Sequence, residues 1–361
     1  MIDVDSELLY PFAIEPKLVG AIWGGDALVK RFGKAGNPAE KLGESWECWD
    51  SNQVSNGPLA GSTIANLRER LAADFLGNLD TTRIFPVLTK IIDARDALSV
   101  QVHPDDAYAQ RVEGQPNGKT ECWYVLDAQP GAELILGWNR DTSRDEYERR
   151  VKDGTLGELL RRVPVRAGQV FYLPAGTLHA IGAGIVIFET QQASDLTYRI
   201  FDWNRVDAAG KPRELHVQKA ADVLDYRQSQ AGAIVQLQYE LGGIERTACI
   251  ADRNFTVEKL HLTEAWATMP TEGRPLIFMT LDAAAQVRCA GGDLTLAPYQ
   301  TVVFAAGAQH VELRASNGEA EVMFVTPPAR SDEMEERLQS AGIDAARIDE
   351  FLRQFTPLIL T

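Results

Sequence analysis

Cysteine and histidine are both scarce in this sequence. Its 361 residues include four cysteines and five histidines. The cysteines stand alone, without a Cys-x-x-Cys pair, at Cys48, Cys122, Cys249 and Cys289. Disulfide scaffolds and cysteine-rich zinc modules need closely spaced cysteines, so both classes are excluded. Isolated thiols of this kind are typical of a reducing compartment.

Long apolar runs and an excess of positive charge are also missing. No stretch approaches the ~20 apolar residues that cross a membrane, and the N-terminus lacks the basic, apolar and small-residue order of a secretory signal. Lys and Arg number 36 against 51 Asp and Glu, for a net charge of −15. Nucleic acids and anionic membranes need a basic face. We therefore expect a cytoplasmic protein that binds neither.

One short stretch combines a strand pattern with polar side chains. Apolar and polar residues alternate from Leu98 to His103. Every second residue of a strand faces the same side. Ser99, Gln101 and His103 should therefore project together, away from the core. After a turn the chain returns in a second strand that begins near Glu121, which brings a carboxylate to the same region.

A second motif is the segment GQVFYLPAGTLHAI, residues 168–181. Its Pro174 and Gly176 predict a tight turn between two antiparallel strands. His179 follows the turn directly and should point inward if the strand phase holds.

Together the two motifs offer four donors to one ion, namely Gln101, His103, Glu121 and His179. Two imidazole nitrogens and two oxygens with an open position suit Zn²⁺, with Mn²⁺, Fe²⁺ or Co²⁺ possible. The competing interpretation makes the two histidines ordinary hydrogen-bonded residues in a barrel mouth. The two further donors at matching positions favour the metal.

These motifs resemble those of type I mannose-6-phosphate isomerases (phosphomannose isomerases), and the second is the cupin signature. The resemblance covers nearly the whole chain, through EPKLVGAIWGG (15–25), GESWE (43–47), FPVLTKIIDARDALSVQVHPDD (85–106), GKTE (118–121), ETQQASDLTYR (189–199) and DWNR (202–205). It implies a metal-dependent aldose–ketose isomerase that interconverts mannose 6-phosphate and fructose 6-phosphate through an ene-diolate. It also implies one zinc ion per chain.

The resemblance further implies that Glu189, Arg199 and Lys119 lie in the active site. We assign all three as catalytic, with Glu189 as the base and Arg199 at the developing oxyanion. A protein this acidic must receive a sugar phosphate with a local group of cations. The expected substrate contacts are Ser99, Trp23, Lys119, Arg199 and Arg205. Without the resemblance, a surface ion pair with Asp195 or Asp202 would be the default interpretation of Arg199.

One position departs from the family pattern, which commonly has Ser-Asp-Asn-Thr where this chain has Leu196 as the third residue. Substrate preference could differ if the missing asparagine side chain contributes to the pocket. Loss of metal chemistry does not follow from this change.

Two other classes of function compete with the isomerase. A metal-dependent cupin oxygenase would prefer Fe²⁺ and a pocket without phosphate-receiving cations. A non-catalytic sugar-binding cupin would lack a base near the metal. Lys119, Glu189 and Arg199 disfavour both classes, although fold alone cannot decide between them.

The predicted fold is mainly β, with two cupin-type jelly-roll barrels or sandwiches, inserted helices and a C-terminal helical tail. The expected divisions are a metal-binding domain at 1–235 with helices at about 62–75 and 144–162, a second domain without metal at 244–328, and a tail at 329–361. We predict hairpin turns at 129–131 and 182–184. The tail should dock on the protein or on a second subunit, so monomer and homodimer both stay open.

The second predicted domain contains a degenerate repeat of the histidine motif. VVFAAGAQHVEL places Gly307 and His310 where the first motif has Gly176 and His179. No Gln-x-His pair precedes it, so we interpret His310 as a turn or surface residue. We expect the same ordinary role for His216 and His261.

Overall fold

A computed structural model of the chain describes residues 8–79, 84–206, 209–327, 330 and 332–355. The predicted mainly β architecture is confirmed. The strands up to residue 201 are β1 (Phe12–Glu15), β2 (Lys17–Gly25), β3 (Leu42–Cys48), β4 (Gln53–Val54), β5 (Val87–Ala94), β6 (Val100–Val102), β7 (Glu121–Ala128), β8 (Glu133–Trp138), β9 (Leu160–Pro164), β10 (Val170–Leu173), β11 (His179–Ile181), β12 (Ile185–Gln192) and β13 (Tyr198–Phe201).

The strands of the remaining part are β14 (Leu237–Leu241), β15 (Ile244–Ala251), β16 (Thr256–Leu262), β17 (Ala267–Thr268), β18 (Leu276–Thr280), β19 (Ala285–Cys289), β20 (Gly292–Leu296), β21 (Thr301–Phe304), β22 (Glu312–Ala315) and β23 (Ala320–Thr326). The helices are α1 (Ala27–Lys30), α2 (Ile64–Leu71), α3 (Ala73–Leu76), α4 (Asp106–Tyr108), α5 (Arg144–Lys152), α6 (Val217–Val223), α7 (Glu333–Ser340) and α8 (Ala345–Leu352). A π-helical turn follows α4 at Ala109–Glu113, and a 3-10 turn lies at Leu156–Leu159. None of the described helices is long and apolar enough to cross a membrane.

The strands form four sheets. A six-stranded sheet has the order β10-β7-β12-β5-β3-β2, and a five-stranded sheet has the order β13-β6-β11-β8-β9. An eight-stranded sheet has the order β14-β15-β16-β23-β18-β21-β1-β4, and a four-stranded sheet has the order β17-β22-β19-β20. The short strands β1 and β4 therefore join a sheet made otherwise of strands from the second half of the chain. The division at 1–235, 244–328 and 329–361 stays a prediction.

The apolar clusters show how these sheets stack. One cluster lies between the five- and six-stranded sheets and includes Trp123 and Leu134. A second joins the six- and eight-stranded sheets, with Phe188 on one side and Val257 on the other. The four-stranded sheet closes a third cluster. Because the six-stranded sheet is covered on both faces, β5 is buried along its whole length.

Helices α5 and α6 cover the outer face of the five-stranded sheet. Tyr147 of α5 and Ala220 of α6 share an apolar cluster with Val100 and Val102 of β6. The apolar face of β6 therefore points out towards the helices, and its polar residue Gln101 points in between the two sheets.

The three turns that the sequence suggests as hairpins are not hairpins. β7 and β8 lie in different sheets, and so do β10 and β11, and β11 and β12. At 129–131, 174–178 and 182–184 the chain crosses from one sheet of the sandwich to the other. Gly and Pro mark a reversal of direction equally well in both cases, so the turn residues alone do not distinguish them.

The inserted helices agree only in part with their predicted bounds. The segment 62–75 forms α2 and α3, with Thr63 capping α2 through its hydroxyl and a break at Ala72, where φ is 45°. In the segment 144–162, α5 ends at Lys152, and residues 160–162 belong to strand β9. The prediction of helix over those last residues is wrong, because their backbone pairs with β8 at the sheet edge.

The C-terminal helices α7 and α8 dock on the body of the same chain. Leu338, Ile348 and Phe351 are buried in the cluster between the six- and eight-stranded sheets. Arg337 also forms an ion pair with the fully buried Glu258 of β16. Of the two predicted docking places, the described part of the tail therefore occupies the one on its own chain.

We predict that Phe351→Ala destabilises the protein by about 3–5 kcal/mol, the usual cost of truncating a buried aromatic side chain. Chemical denaturation followed by far-UV circular dichroism measures the change. The control Glu350→Ala alters an exposed neighbour and should shift the unfolding free energy by no more than ~0.5 kcal/mol. Equal stability of the two variants would show that the docked tail contributes little.

Candidate metal centre and active site

Two rows of side chains face each other between the five- and six-stranded sheets. Across the five-stranded sheet, Gln101 of β6 is in register with His179 of β11 and with Arg199 of β13. Directly opposed residues of antiparallel strands point to the same face. The strand pairing therefore brings together three residues that lie up to 98 positions apart in the chain.

The facing row belongs to the six-stranded sheet. There Glu189 of β12 is in register with Trp123 of β7 and with Lys90 of β5. Glu121 lies two residues before Trp123, so its side chain points to the same face. The two rows combine carboxylates, cations and imidazoles in one enclosed space.

Three of the four predicted metal ligands meet at the end of these rows. The possible ligand atoms of His103, Glu121 and His179 all lie within 4.8 Å of one another. His103 Nε2 is 3.4 Å from Glu121 Oε2, and His179 Nε2 is 3.2 Å from Glu121 Oε1. All three side chains are buried.

The backbone fixes the orientation of both imidazoles. His103 Nδ1 lies 2.7 Å from the carbonyl oxygen of Leu196, and His179 Nδ1 lies 2.9 Å from that of Thr177. An Nδ1–H that donates to a carbonyl leaves Nε2 as the free lone pair. The departure from the family pattern at Leu196 therefore leaves this contact in place, since the contact uses the main chain.

Gln101 reaches the same point with its amide group. Its Nε2 lies 3.3 Å from His179 Nε2, and its Oε1 lies 3.4 Å from Ser99 Oγ. The two ends of an amide have nearly the same shape, so a half-turn of the group exchanges them. The oxygen would then face the histidines, and the nitrogen would donate to Ser99.

Two close backbone contacts hold the ligand-bearing segments together. A Cβ on Gly118 would lie 2.4 Å from the carbonyl oxygen of Pro104, and the N–H of Lys119 donates to that same oxygen. The N–H of Gly176 donates to the carbonyl of His103. Hydrogen bonds thus hold the turns at Gly118 and Gly176 against His103 and Pro104.

The electrostatics of the three residues fit a cation. Burial lowers the pKa of His103 to about 3, with the charge of Lys119 adding to the shift, and burial also lowers the pKa of His179. Both rings are therefore neutral, as metal ligands must be. Although burial alone would raise it, the charge of Lys119 holds the pKa of Glu121 well below its usual value.

The hydrogen bonding of these residues also fits a bound cation. His103 Nε2 and both carboxylate oxygens of Glu121 are buried and make no hydrogen bond, although Lys119 Nζ lies 2.9 Å from Oε2. Leaving such groups unpaired costs free energy. A divalent ion held by these atoms would satisfy all of them, so the donor set fits the metal that the sequence predicts.

Beside this cluster lies a cavity of about 310 Å³. Its lining includes Ser99, Trp23, Lys119, Glu189 and Arg199. A Cβ on Gly43 would lie 2.7 Å from the Trp23 ring, so the glycine makes room for that ring.

Arg205 is placed differently from the other predicted contacts. Its guanidinium binds Asp202 and the carbonyl of Ala97, and it is not part of the described cavity lining. Its role as a substrate contact stays a prediction that its position does not support.

Glu189 is held inside the cavity by its neighbours. Trp123 Nε1 donates to Glu189 Oε2 at 3.0 Å, and Lys90 Nζ is 3.6 Å from Oε1. Burial and the charge of Glu121 raise the pKa of Glu189 to about 7, against the opposing charges of Lys119 and Lys90. A carboxyl group with this pKa exchanges protons near neutral pH.

The lining residues that sequence reasoning missed include Glu44, Lys90, Arg213 and His216. The sequence did contain a signal for Lys90, because a lysine in a strand that is otherwise mostly apolar needs buried partners. It lies 3.1 Å from Glu44 and forms the link between that residue and Glu189. His216 is half-buried, as expected of an ordinary surface or half-buried histidine, but it also lines the cavity, which the sequence did not indicate.

The second histidine turn has a different environment. His310 is exposed, with φ of 56°. Phe278 stacks on Phe324 and contacts Phe304 edge-on in the cluster between the eight- and four-stranded sheets.

Comparisons with known proteins support the arrangement. The family model "Phosphomannose isomerase type I, catalytic domain" matches residues 12–132. A mannose-6-phosphate isomerase of Streptococcus mutans is 41% identical over 257 residues, which cover 70% of this chain and 79% of the relative. The mannose-6-phosphate isomerase ManA of Bacillus subtilis is 46% identical over 220 residues, covering 60% and 68% of the two chains. A crystal structure of the mannose 6-phosphate isomerase from B. subtilis superposes with a TM-score of 0.80 and 32% identity, covering 88% of this chain and 99% of that one.

We predict that His103→Ala and His179→Ala each lose the bound metal, because each removes a ligand and leaves the buried Glu121 without its cation. Elemental analysis of protein purified with zinc measures the occupancy. The control His310→Ala should retain the metal content of the unaltered protein. Full occupancy in His179→Ala would overturn the ligand assignment.

Proposed function

The chain belongs to the type I phosphomannose isomerase family, and from that premise we propose how its residues interconvert mannose 6-phosphate and fructose 6-phosphate. The reaction moves one proton between adjacent carbons of the sugar through an ene-diolate. It needs a base, and positive charge near the oxygens where negative charge develops. The observation that carries the proposal is the pair of facing rows, which sets Glu189 and Lys90 opposite Gln101 and Arg199 beside the metal ligands.

Members of this family depend on a metal, and we propose that the ion here is zinc. His103, Glu121 and His179 would hold it, with Gln101 Oε1 as the fourth ligand after the half-turn of its amide. Mixed nitrogen and oxygen donors suit Zn²⁺, and Mn²⁺ or Co²⁺ could occupy the same set. When bound, such an ion supplies a fixed positive charge that polarises nearby oxygens.

Glu189 is the base in this proposal. Its carboxyl group lines the cavity, and its pKa of about 7 suits a group that takes up and returns a proton within one turnover. Trp123 fixes Oε2 by a hydrogen bond, which leaves Oε1 buried without one. We propose that Oε1 takes the proton from the sugar carbon.

Arg199 stabilises the oxygen on which negative charge develops. Its guanidinium cannot serve as a proton donor at working pH, so its contribution is charge. One of its nitrogens is fixed by the carbonyl of Glu214 at 3.0 Å, while Nε is buried without a hydrogen bond. Lys119, whose Nζ is 2.9 Å from Glu121 Oε2, lies at the metal end and is the second candidate for proton transfer.

Two rival functions fit the cavity less well. A cupin oxygenase has no need of Lys90, Lys119 and Arg199 around its substrate. A sugar-binding protein without catalysis has no need of a buried carboxyl group whose pKa is raised to about 7. We also propose that the enzyme works in the cytoplasm, because its four cysteines are free thiols in the described chain.

Zinc-loaded protein incubated with mannose 6-phosphate tests the proposal. We expect fructose 6-phosphate, detected by a coupled assay, and loss of turnover when a chelator removes the metal. Absence of fructose 6-phosphate from protein with full metal occupancy would contradict the proposed function.

We predict that Glu189→Gln abolishes both isomerisation and exchange of the sugar proton with solvent deuterium, because the amide cannot accept that proton. The variant should still bind zinc and substrate. Mass spectrometry of the recovered sugar measures the exchange. Rapid exchange by this variant would move the role of base to Lys119.

We predict that Arg199→Ala loses its activity mainly in kcat. Removing one preorganised donor from a developing oxyanion costs about 3–4 kcal/mol, or roughly a hundredfold to a thousandfold in rate. Steady-state kinetics separate kcat from KM. Normal kcat with a raised KM would reduce Arg199 to a binding contact.

A further inference from the structure

A row of directly opposed residues crosses the six-stranded sheet on the face that lines the cavity. Trp123, Glu189 and Lys90 form its inner part. Beyond Lys90 the register continues to Trp46 of β3, and from there to Lys17 of β2 at the sheet edge. Directly opposed residues of antiparallel strands point to the same face. Trp46 therefore lies beside Lys90, one strand further from the metal ligands.

Lys90 lies between two carboxylates, and each of these accepts a hydrogen bond from an indole. Trp46 Nε1 donates to Glu44 Oε2 at 2.7 Å. Trp123 Nε1 donates to Glu189 Oε2 at 3.0 Å. Lys90 Nζ is 3.1 Å from that same Oε2 of Glu44, but 3.6 Å from Oε1 of Glu189. Because the longer distance exceeds that of a hydrogen bond, Lys90 is paired with Glu44 and only close to Glu189.

The ring of Trp46 acts on Lys90 as well. Lys90 Nζ lies 5.2 Å from the ring centroid, within the range in which an aromatic face attracts an ammonium group. Trp46 thus holds both members of the ion pair, the carboxylate of Glu44 through its N–H and the ammonium through its ring. It is half-buried and does not belong to the described cavity lining. Any effect on the reaction must therefore pass through Glu44 and Lys90, which do line the cavity.

Both members of the pair stay charged. Although burial alone would raise it, the charge of Lys90 and the hydrogen bond from Trp46 hold the pKa of Glu44 below its usual value. Although burial alone would lower it, the charges of Glu44 and Glu189 hold the pKa of Lys90 above its usual value. Lys90 is thus a permanent positive charge on a flexible stem. Its position, and not its protonation, is what can change.

The position of Lys90 matters because Glu189 Oε1 takes the sugar proton in the proposed reaction. That oxygen is buried without a hydrogen bond. An ammonium group that came within hydrogen-bond distance would occupy its lone pair and would stabilise the charged carboxylate. Both effects would make Glu189 a weaker base. Keeping Lys90 beside Glu44 therefore keeps Oε1 available to the sugar.

We propose that Trp46 is a positioning residue for the isomerisation, which holds Lys90 on the side of Glu44 and so leaves Glu189 Oε1 open to the sugar. The inference rests on the proposed function for the role of Glu189. Trp46 reaches the cavity only through the ion pair, so its loss should affect the chemical step and not substrate binding.

The first test compares Trp46→Phe with Trp49→Phe in the zinc-loaded enzyme. Phenylalanine keeps an aromatic ring beside Lys90 but removes the donor to Glu44. Trp49 is a half-buried neighbour whose ring contacts that of Trp46 edge-on, so its replacement controls for the loss of an indole in the same segment. We expect Trp46→Phe to lower kcat roughly tenfold, the low end for one hydrogen bond to a charged group, with KM within about twofold. In Trp49→Phe both constants should stay within about twofold.

A double-mutant cycle distinguishes positioning from simple packing. In a Glu44→Ala background, Trp46→Phe removes a donor whose acceptor is already gone. Glu44→Ala should itself lower kcat, and the added Trp46→Phe should then change kcat by less than about twofold. An equal loss of kcat on adding Trp46→Phe in both backgrounds, or an unchanged kcat in Trp46→Phe alone, would overturn the inference.

Crystal structures of zinc-loaded wild type and Trp46→Phe separate this inference from the proposed function. We expect Lys90 Nζ to move away from Glu44 in the variant, to within about 3 Å of Glu189 Oε1. Such a shift in a protein that does not isomerise mannose 6-phosphate would refute the function and keep the positioning of Lys90 by Trp46. Lys90 in the same place in both proteins, with normal turnover of the wild type, would keep the function and refute the inference.

Discussion

A buried carboxylate between two neutral imidazoles sets the conditions for the rest of this cavity. Glu121 and both histidines are almost fully removed from water, and burying an unpaired charge costs several kcal/mol. Lys119 alone compensates for part of this cost, and the atoms that face one another still lack hydrogen bonds. The fold must therefore be stable enough to hold these groups together. A bound cation would pair with His103 Nε2 and both Glu121 oxygens, which supports a metal enzyme.

The layered sheets provide that stability. The six-stranded sheet carries Glu121, Lys90 and Glu189 on one face, and its other face is buried against the eight-stranded sheet. The helices α5 and α6 cover the five-stranded sheet from outside. The site thus lies between two sheets that are each supported from behind. Its side chains are positioned by strands, or, as for His103 and Lys119, by residues close to a strand end.

The backbone supplies most of the support for the metal ligands. The carbonyls of Leu196 and Thr177 fix the imidazoles, and the carbonyl of Pro104 fixes the strand that leads to Glu121. A change of side chain at Leu196 does not remove such a contact. This explains how the chain can depart from the family pattern there and keep the ligand geometry.

Local pattern predicted the mainly β fold and the meeting of His103, Glu121 and His179, because alternation along a strand directly determines which side chains share a face. The connections between strands could not be predicted in the same way. The turns at 129–131 and 182–184 have hairpin-like residues but cross between sheets, and only tertiary packing decides this. The sequence favoured Arg205 as a substrate contact because it lies nearer than Arg213 to the motif at 189–199. In the structure both arginines bind Asp202. The return of the chain to pair with Arg199 brings Arg213 to the cavity instead.

The most direct test of the metal centre is a crystal structure of zinc-loaded protein with anomalous diffraction at the zinc edge. The account predicts one peak, bonded to Nε2 of His103, Nε2 of His179, a carboxylate oxygen of Glu121 and Oε1 of Gln101, at about 2.0–2.2 Å. A peak bound to other residues in an active enzyme, or an active enzyme without any metal peak, would contradict it.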